Sequence, residues 1–136
     1  MPAQFLLDSN TCIRFLNGRS ASIERKLVAA KPPDVKLCSV VKAELLYGAS
    51  RSNNVLAART KLELFFAPYE SFPFDDPAAI EYGRLRGTLA IAGTPIGPND
   101  LMIAAIALSR QLTLVTHNTR EFSRVAGLLM EDWESP

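Results

Sequence analysis

Short apolar runs alternate with longer stretches of helical spacing along this chain. The runs have the length of buried strands rather than of core helices, and turn or helix-capping residues follow them. The predicted strands lie at residues 4–7, 35–38, 69–74, 112–116 and 128–130. Because strands alternate with helices, the pattern predicts an α/β fold whose mostly parallel sheet is covered by helices on both faces.

Capping residues and apolar spacing predict the helices between these strands. Four of them are predicted at residues 12–16, 40–49, 76–92 and 99–110. A further helix begins at Ser20 or Ser22 and ends at residue 30, and another begins at Ser52-Asn53 and ends at residue 66. A short turn or helix is predicted at 118–124. We expect Ser39 and Asp76 to be N-caps. The helix at 99–110 is apolar nearly all round, so it should be buried.

The composition is that of an ordinary globular protein, with 48% hydrophobic and 21% charged residues among 136. We expect one domain, residues 1–136. The apolar runs are too short to cross a bilayer and no secretory leader follows Met1, so we expect a cytoplasmic protein without membrane contact. The net charge of +1 does not by itself indicate nucleic-acid binding. Candidate phosphate contacts, or else ordinary surface residues, are Arg14, Lys42, Arg84, Arg86, Arg120 and Arg124.

Three acidic residues occupy positions where the folding pattern favours apolar ones. Asp8 follows the first strand, and Asp100 opens the buried helix. Glu44 shares a helix face with Val40 and Val41. A buried carboxylate without a partner costs several kcal/mol. Three such residues, far apart in sequence, therefore predict a shared divalent-metal site.

Each acid also has a local explanation. Asp8 and Asp100 could each stabilise the first turn of a helix, where the macrodipole contributes about 0.3 to 1 kcal/mol. Glu44 could lie at the rim of the core with only its stem packed. A common site is favoured because the positions agree: Asp8 and residues 116–121 follow strands whose carboxyl ends meet at one edge of a parallel sheet.

The metal predicted for these carboxylates is Mg²⁺, with Mn²⁺ as a substitute. Both prefer hard oxygen ligands and often bind phosphate oxygens of the substrate, so we expect a substrate that carries phosphate. A bound cation lowers the pKa of a coordinated water and offsets charge on a phosphodiester, which makes a protein nucleophile unnecessary. The only histidine, His117, is either an RNA contact or an ordinary exposed side chain. With Cys12 and Cys38 it cannot complete a four-ligand zinc site, and both thiols should be buried and reduced.

Four ordered motifs resemble those of the PIN-domain ribonucleases, most closely the VapC toxins of bacterial toxin-antitoxin pairs. They are LLDSNT at 6–11, VKAELLYG at 41–48, GPNDLMIA at 97–104 and THNTREF at 116–122, and they span almost the whole chain. The ending Glu131-Asp132-Trp133 also looks like one VapC branch. The resemblance implies a three-layer α/β/α PIN-like fold and a Mg²⁺-dependent endoribonuclease.

The resemblance also implies roles for the site residues. Asp8 and Asp100 hold the metal, Glu44 assists directly or through water, and the loop at 116–121 completes the pocket. Many PIN domains have an aspartate where this chain has Asn118. The fourth acidic role has therefore either weakened or passed to Glu121.

The partners implied by the resemblance are RNA and an antitoxin. Transfer RNA is a common substrate class in the family. A VapB-type antitoxin wraps the toxin with its C-terminal segment, and a homodimer forms within the toxin-antitoxin hetero-oligomer. Apolar residues of the first and fourth predicted helices could form the antitoxin groove or be ordinary core: Ile13, Phe15, Leu62 and Phe66.

Two other functions fit parts of the pattern. The segment Asp8-Ser9-Asn10-Thr11 after an apolar strand resembles the nucleophile loop of haloacid-dehalogenase-like phosphatases, in which Asp8 would be phosphorylated. Asn10 replaces the second aspartate of that loop, which disfavours this function. Asn118 favours a third function, a non-catalytic PIN-type module that binds RNA or protein.

Overall fold

Five parallel strands form the sheet in the computed structural model, which describes residues 3–135. They are β1 (Phe5–Leu7), β2 (Val35–Cys38), β3 (Glu70–Phe72), β4 (Thr113–Val115) and β5 (Met130–Glu131). Their spatial order is β3-β2-β1-β4-β5, and each neighbouring pair runs parallel. The predicted α/β fold is therefore confirmed, with a sheet that is parallel throughout the described residues.

Helices connect these strands, and a short 3₁₀ turn at Pro32–Asp34 leads into β2. The helices are α1 (Ser9–Leu16), α2 (Ala21–Ala29), α3 (Ser39–Ser50), α4 (Val55–Phe66), α5 (Asp76–Ala92), α6 (Pro98–Ser109) and α7 (Thr119–Phe122). Each predicted helix is present, although its ends differ by up to a few residues. Of the two proposed caps for α2, Ser20 is the one that accepts a hydrogen bond, from Ile23 N–H.

Three predicted helix starts were wrong. Asp75 rather than Asp76 caps α5, and Asn54 rather than Ser52-Asn53 caps α4. Each cap accepts a hydrogen bond from the N–H three residues on, and a neighbour of the same chemical type makes the choice ambiguous in sequence. Ser39 lies inside α3, and its Oγ accepts from Phe74 N–H at 3.2 Å, which ties α3 to the segment after β3.

The buried apolar residues form one cluster around the sheet and α6. The buried residues of α6 are Leu101, Ile103, Ala104, Ala105, Ile106 and Ala107, which confirms the prediction of a buried helix. Cys12 and Cys38 are buried and form no disulfide, as expected, and burial raises the pKa of both thiols. Between residues 3 and 135, no helix is both long enough and apolar enough to span a bilayer. The expectation of a single domain stays a prediction.

The chain changes direction across the sheet at β1. It adds β2 and β3 on one side of β1 and then returns to place β4 and β5 on the other side. β1 and β4 pair from Phe5 with Thr113 to Leu7 with Val115, so the residues that follow each strand emerge side by side. In open parallel sheets such a switch point leaves a crevice at the carboxyl ends of the strands, where ligands bind.

Candidate metal centre and active site

Asp8 connects β1 to α1 at the switch point. Its backbone N–H donates to the carbonyl oxygen of Val115 at 3.1 Å, and its Oδ1 accepts from Thr11 N–H at 2.8 Å. The residue is only 5% exposed. Asp8 therefore does cap a helix, as the local explanation proposed. The cap uses Oδ1 alone, so Oδ2 remains available to a second partner.

Glu44 projects from α3 beside the start of α1. Its Oε1 accepts a hydrogen bond from Ser9 Oγ at 2.7 Å. Glu44 is half-buried, and Tyr47 on the same helix face is 63% exposed. The expectation that Glu44 is a buried charge on an apolar face was therefore wrong. The buried side of α3 is centred on Val41 and Leu45, which leaves Glu44 at the rim between core and crevice.

Asp100 lies in the first turn of α6 and meets the other acids in the crevice. It is half-buried, whereas the sequence predicted a buried charge. Burial raises its pKa to about 6, and the negative charges of Glu121, Glu44 and Asp8 add to that effect. The structure thus brings together four carboxylates from distant parts of the chain.

The loop after β4 supplies Asn118 and Glu121. Thr116 is fully buried, and its Oγ1 accepts from Asn118 N–H at 3.0 Å. The side-chain amide of Asn118 donates to Glu121 Oε2 at 2.9 Å. Of the three carboxylates that raise the pKa of Asp100, Glu121 has the largest effect. Asn118 therefore orients the acid that faces Asp100, while the catalytic role of each residue stays a prediction.

The four acids have no basic partner. Within residues 3–135, none of them forms a salt bridge with lysine, arginine or histidine. An all-oxygen donor set with uncompensated negative charge fits a hard divalent cation such as Mg²⁺ or Mn²⁺. The residues that would hold it are Asp8, Glu44 and Asp100, with Glu121 beside them.

The acids are nonetheless spread more widely than the ligands of a closed metal site. In the described part of the chain, the one set of three potential ligand atoms lying within 4.8 Å of one another is that of His117, Asp132 and Glu134. Such spacing suits an ion that keeps several waters and contacts some of the carboxylates through them.

A second cluster of charged residues lies at the C-terminal turn, residues 131–135. His117 Nδ1 is 2.9 Å from Asp132 Oδ2 and 3.2 Å from Glu134 Oε2, and Arg14 Nε pairs with Glu134 Oε1. Trp133 is buried and packs edge-on against Phe5, with ring centroids 5.2 Å apart.

Sequence reasoning did not find this cluster. Its members are distant in the chain and follow no shared periodicity. The signal that could have helped was Trp133, because a large aromatic residue near the end of a chain indicates that the end packs on the core. The position of His117 also resolves its two interpretations in part: it is exposed, but it is held by carboxylates rather than free in solvent.

Comparison with known proteins decides the family. The PIN domain family matches residues 5–128. Over 131 residues the chain is 37% identical to Ribonuclease VapC2 of Rickettsia felis, covering 96% of this chain and 98% of that protein. This chain belongs to the VapC branch of the PIN-domain family. It is also 40% identical over 132 residues to the tRNA(fMet)-specific endonuclease VapC of Shigella flexneri, with the same coverage.

Solved structures agree with this family assignment. The DNA-bound VapBC of Salmonella typhimurium contains a chain that superposes with a TM-score of 0.90 at 38% identity, covering 97% of this chain and 99% of that chain. The PIN-like fold and the function class, a ribonuclease toxin of a type II toxin-antitoxin system, are confirmed. PIN nucleases are typically metal-dependent. The phosphatase alternative is left without support.

Proposed function

We propose that this VapC-family chain hydrolyses phosphodiester bonds of RNA with Mg²⁺ held by Asp8, Asp100 and Glu44. The observation that carries the proposal is the convergence of these acids in one crevice, where the described residues offer them no basic partner. When bound, the ion supplies an activated water and offsets charge on the phosphate. Mn²⁺ is expected to substitute for Mg²⁺.

The chain's own residues prepare the crevice for that chemistry. The hydrogen bond from Ser9 orients Glu44, and the cap at Thr11 fixes Asp8 while leaving its Oδ2 open. Asp100 has a pKa of about 6, so it is mainly deprotonated at neutral pH and can act as a ligand. Glu121, whose carboxylate is oriented by the hydrogen bond from Asn118, would accept a proton in the crevice when the metal is bound.

Transfer RNA is the substrate class that we propose to test first. The VapC of Shigella flexneri, which matches nearly the full length of this chain, is described as specific for tRNA(fMet). Single-stranded loops are the parts of folded RNA in which bases are most accessible to a protein. A crevice at a strand edge, flanked by short loops, can accept such a segment.

The first test is RNA cleavage by the purified protein. With Mg²⁺ or Mn²⁺ we expect discrete cleavage products from a tRNA fraction, and none after addition of a chelator. Asp8→Asn and Asp100→Asn should abolish cleavage while far-ultraviolet circular dichroism stays unchanged. Glu63→Gln is the matched control, since Glu63 is an exposed acid paired with Arg59 on α4.

Two outcomes contradict the proposal. Cleavage that persists in both aspartate variants would remove the acids from the mechanism. A wild-type protein that binds RNA, gives no saturable response to Mg²⁺ and releases no products would instead favour the non-catalytic binding module.

We also propose a VapB-type antitoxin as the protein partner. A groove of about 370 Å³ lies between α1, α3 and α4, and its apolar lining includes Ile13, Leu45 and Leu62. Ile13 is 40% exposed, whereas Leu62 is buried and so belongs to both the groove and the core. Phe15 and Phe66 pack against the core cluster, which makes core packing the better explanation for these two predicted groove residues. A helix with an apolar face suits such a groove.

Co-expression tests this partner. The product of a small reading frame adjacent to the gene should co-elute with the chain in size-exclusion chromatography and inhibit cleavage. Ile13→Asp should weaken both effects, because it places a charge against an apolar helix face. Unchanged inhibition by that variant would exclude the groove as the binding surface. The same chromatography measures whether the free chain forms the predicted homodimer.

A further inference from the structure

Arg14 lies on the face of α1 that lines a pocket beside Asp8. Asn10, Ile13, Arg14 and Asn17 are spaced three and four residues apart, as on one side of a helix. With Asp8 they line a pocket of about 520 Å³. At a rise of 1.5 Å per residue, the Cα of Arg14 is about 9 Å further along the chain direction than that of Asp8. That separation suits a phosphate next to the one that a cation at Asp8 would bind.

Glu134 contacts two basic side chains of this pocket at once. Its Oε1 pairs with Arg14 Nε, and its Oε2 lies 3.2 Å from His117 Nδ1. The Glu134 side chain is only 15% exposed, compared with 43% for Arg14 and 65% for His117. All three residues line the pocket, and the carboxylate of Glu134 is more sheltered from solvent than the two basic groups.

The guanidinium of Arg14 is held by one end. Its Nε is buried, so the exposed part of the side chain must be atoms other than Nε. The contact between Nε and Glu134 is an ion pair without good hydrogen-bond geometry. A guanidinium is a rigid planar fork, so fixing Nε restricts its whole plane. Its terminal amino groups can then form a bidentate contact with a phosphate.

The acids next to this pocket create a need for such a contact. The carboxylates of Asp8, Glu44, Asp100 and Glu121 repel the RNA backbone except where a cation neutralises them. Basic side chains at the rim attract the flanking phosphates and position the strand. Arg14 and His117 are basic side chains that line the same pocket as Asp8.

We propose that Arg14 binds the RNA phosphate next to the scissile bond, and that Glu134 is a positioning residue that holds Arg14 and His117 for this contact. This inference rests on the proposed ribonuclease function. The buried Trp133 anchors the turn that carries Glu134, so the position of the carboxylate is set by the core.

The test for Arg14 separates binding from chemistry. In cleavage of a short single-stranded RNA, Arg14→Ala should raise KM about tenfold and change kcat less than about twofold, because a charge-assisted contact to a remote phosphate is lost. The slope of log KM against log salt should fall by about 0.7, the value for one phosphate contact on a single strand. The KM of Arg14→Lys should lie between those of wild type and Arg14→Ala, because lysine keeps the positive charge but lacks the planar guanidinium.

The matched control is Arg59→Ala. Arg59 Nε also pairs with a glutamate, Glu63 Oε1 at 3.3 Å, but on the exposed side of α4. Arg59→Ala should leave KM and the slope of log KM against log salt unchanged. If Arg14→Ala gives no more effect than Arg59→Ala, the proposed phosphate contact is wrong.

Glu134→Gln tests the positioning role. It should raise KM about threefold, and it should add nothing to the effect of Arg14→Ala and His117→Ala combined, because residues that act together are not additive. A KM that falls in Glu134→Gln would overturn this role, since Glu134 would then compete with RNA for Arg14. Thermal unfolding of each variant shows whether the effect is on folding instead.

RNA binding without cleavage distinguishes this inference from the proposed function. The affinity for a fluorescent RNA oligonucleotide is measured by anisotropy in the presence of a chelator, for wild type and Arg14→Ala. If the wild-type protein never cleaves RNA but binds it more tightly than Arg14→Ala does, the contact between Arg14 and an RNA phosphate is sustained and the proposed function is refuted. Cleavage that depends on Asp100 but not on Arg14 would sustain the proposed function and refute the contact between Arg14 and the phosphate.

Discussion

Two groups of carboxylates lie at the carboxyl edge of the sheet, and they differ in what surrounds them. Asp132 and Glu134 in the C-terminal turn are paired with His117, and Glu134 also with Arg14. The acids of the crevice around Asp100 have one another as neighbours. Both groups are partly buried, so burial alone does not distinguish a structural acid from a ligand.

The difference appears in the pKa of one acid from each group. Burial raises the pKa of Asp100 to about 6, and neighbouring carboxylates contribute to the rise. Burial would also raise the pKa of Asp132, but hydrogen bonds from Glu134 N–H, His117 and Ser135 outweigh it and leave that pKa below its ordinary value. Asp132 is thus surrounded by hydrogen-bond donors, whereas Asp100 is surrounded by other acids.

The largest expected effect comes from Asp100→Asn. Cleavage should fall at least about a hundredfold, because a proposed metal ligand is lost, while the metal-free protein should gain about 1 kcal/mol of stability as repulsion is relieved. Cleavage assays and urea unfolding with chelator present measure the two quantities. If Asp100→Asn instead lowers the free energy of unfolding as much as substitution of an acid in the C-terminal turn does, the two groups of acids do not differ in this way.

The next largest effect is expected when Trp133, which anchors the C-terminal turn, is replaced. Trp133→Ala should cost about 3 kcal/mol, because a buried aromatic side chain is replaced by a cavity. In the folded fraction KM for RNA should rise while kcat is retained, since the turn no longer holds Arg14 in place. Trp133→Phe serves as the control with most of the packing kept. An unchanged KM would mean that the turn is not needed for substrate binding.

The pH dependence of stability should also separate the two groups. Asp100 has a pKa of about 6 when folded, against 3.8 ordinarily, so between these values the folded state binds more protons than the unfolded state. Stability of the metal-free protein should therefore decrease by about 1 to 2 kcal/mol as the pH rises from about 4 to about 6, after allowance for partial exposure. Unfolding midpoints across this range measure the decrease. Asp100→Asn should flatten this decrease of stability with pH. An equal slope in wild type and Asp100→Asn would show that Asp100 is not the titrating group.

Asp132→Asn should have the smallest effect and the opposite sign from Asp100→Asn. The substitution weakens hydrogen bonds from His117 and Ser135, at a cost of about 1 kcal/mol. Chemical denaturation measures this change. Stabilisation by Asp132→Asn would place this acid with those of the crevice rather than with the structural ones.

The parts of the site that interrupt an apolar pattern could be predicted from the sequence. Asp8 and Asp100 were visible because each stands at the boundary of a run whose burial is predicted by its composition. Their elements were also predicted, because strand-helix alternation leaves few arrangements for a parallel sheet. Glu44 was found by the same reasoning, although its degree of burial depends on how α3 is rotated, and periodicity does not determine that rotation.

What the sequence could not reveal depends on contacts between distant polar residues. Arg14 and Glu134 lie near opposite ends of the chain, and nothing in the pattern around either residue selects the other. Whether Asn118 or Glu121 faces Asp100 depends on a loop of a few residues. The last strand, expected at 128–130, is β5 at Met130–Glu131, because two residues at a sheet edge carry no measurable alternation.

The placement of Asp8 has a consequence for how such toxins diversify. β1 is the central strand, bonded to neighbours on both sides, so Asp8, a proposed metal ligand, follows the least adjustable part of the sheet. The adjoining pocket is lined mostly by exposed or half-buried side chains of one α1 face, of the loop after β4 and of Glu134. Under the proposed function, substitutions at this periphery could redirect the toxin towards a different RNA without any change to the acids of the crevice.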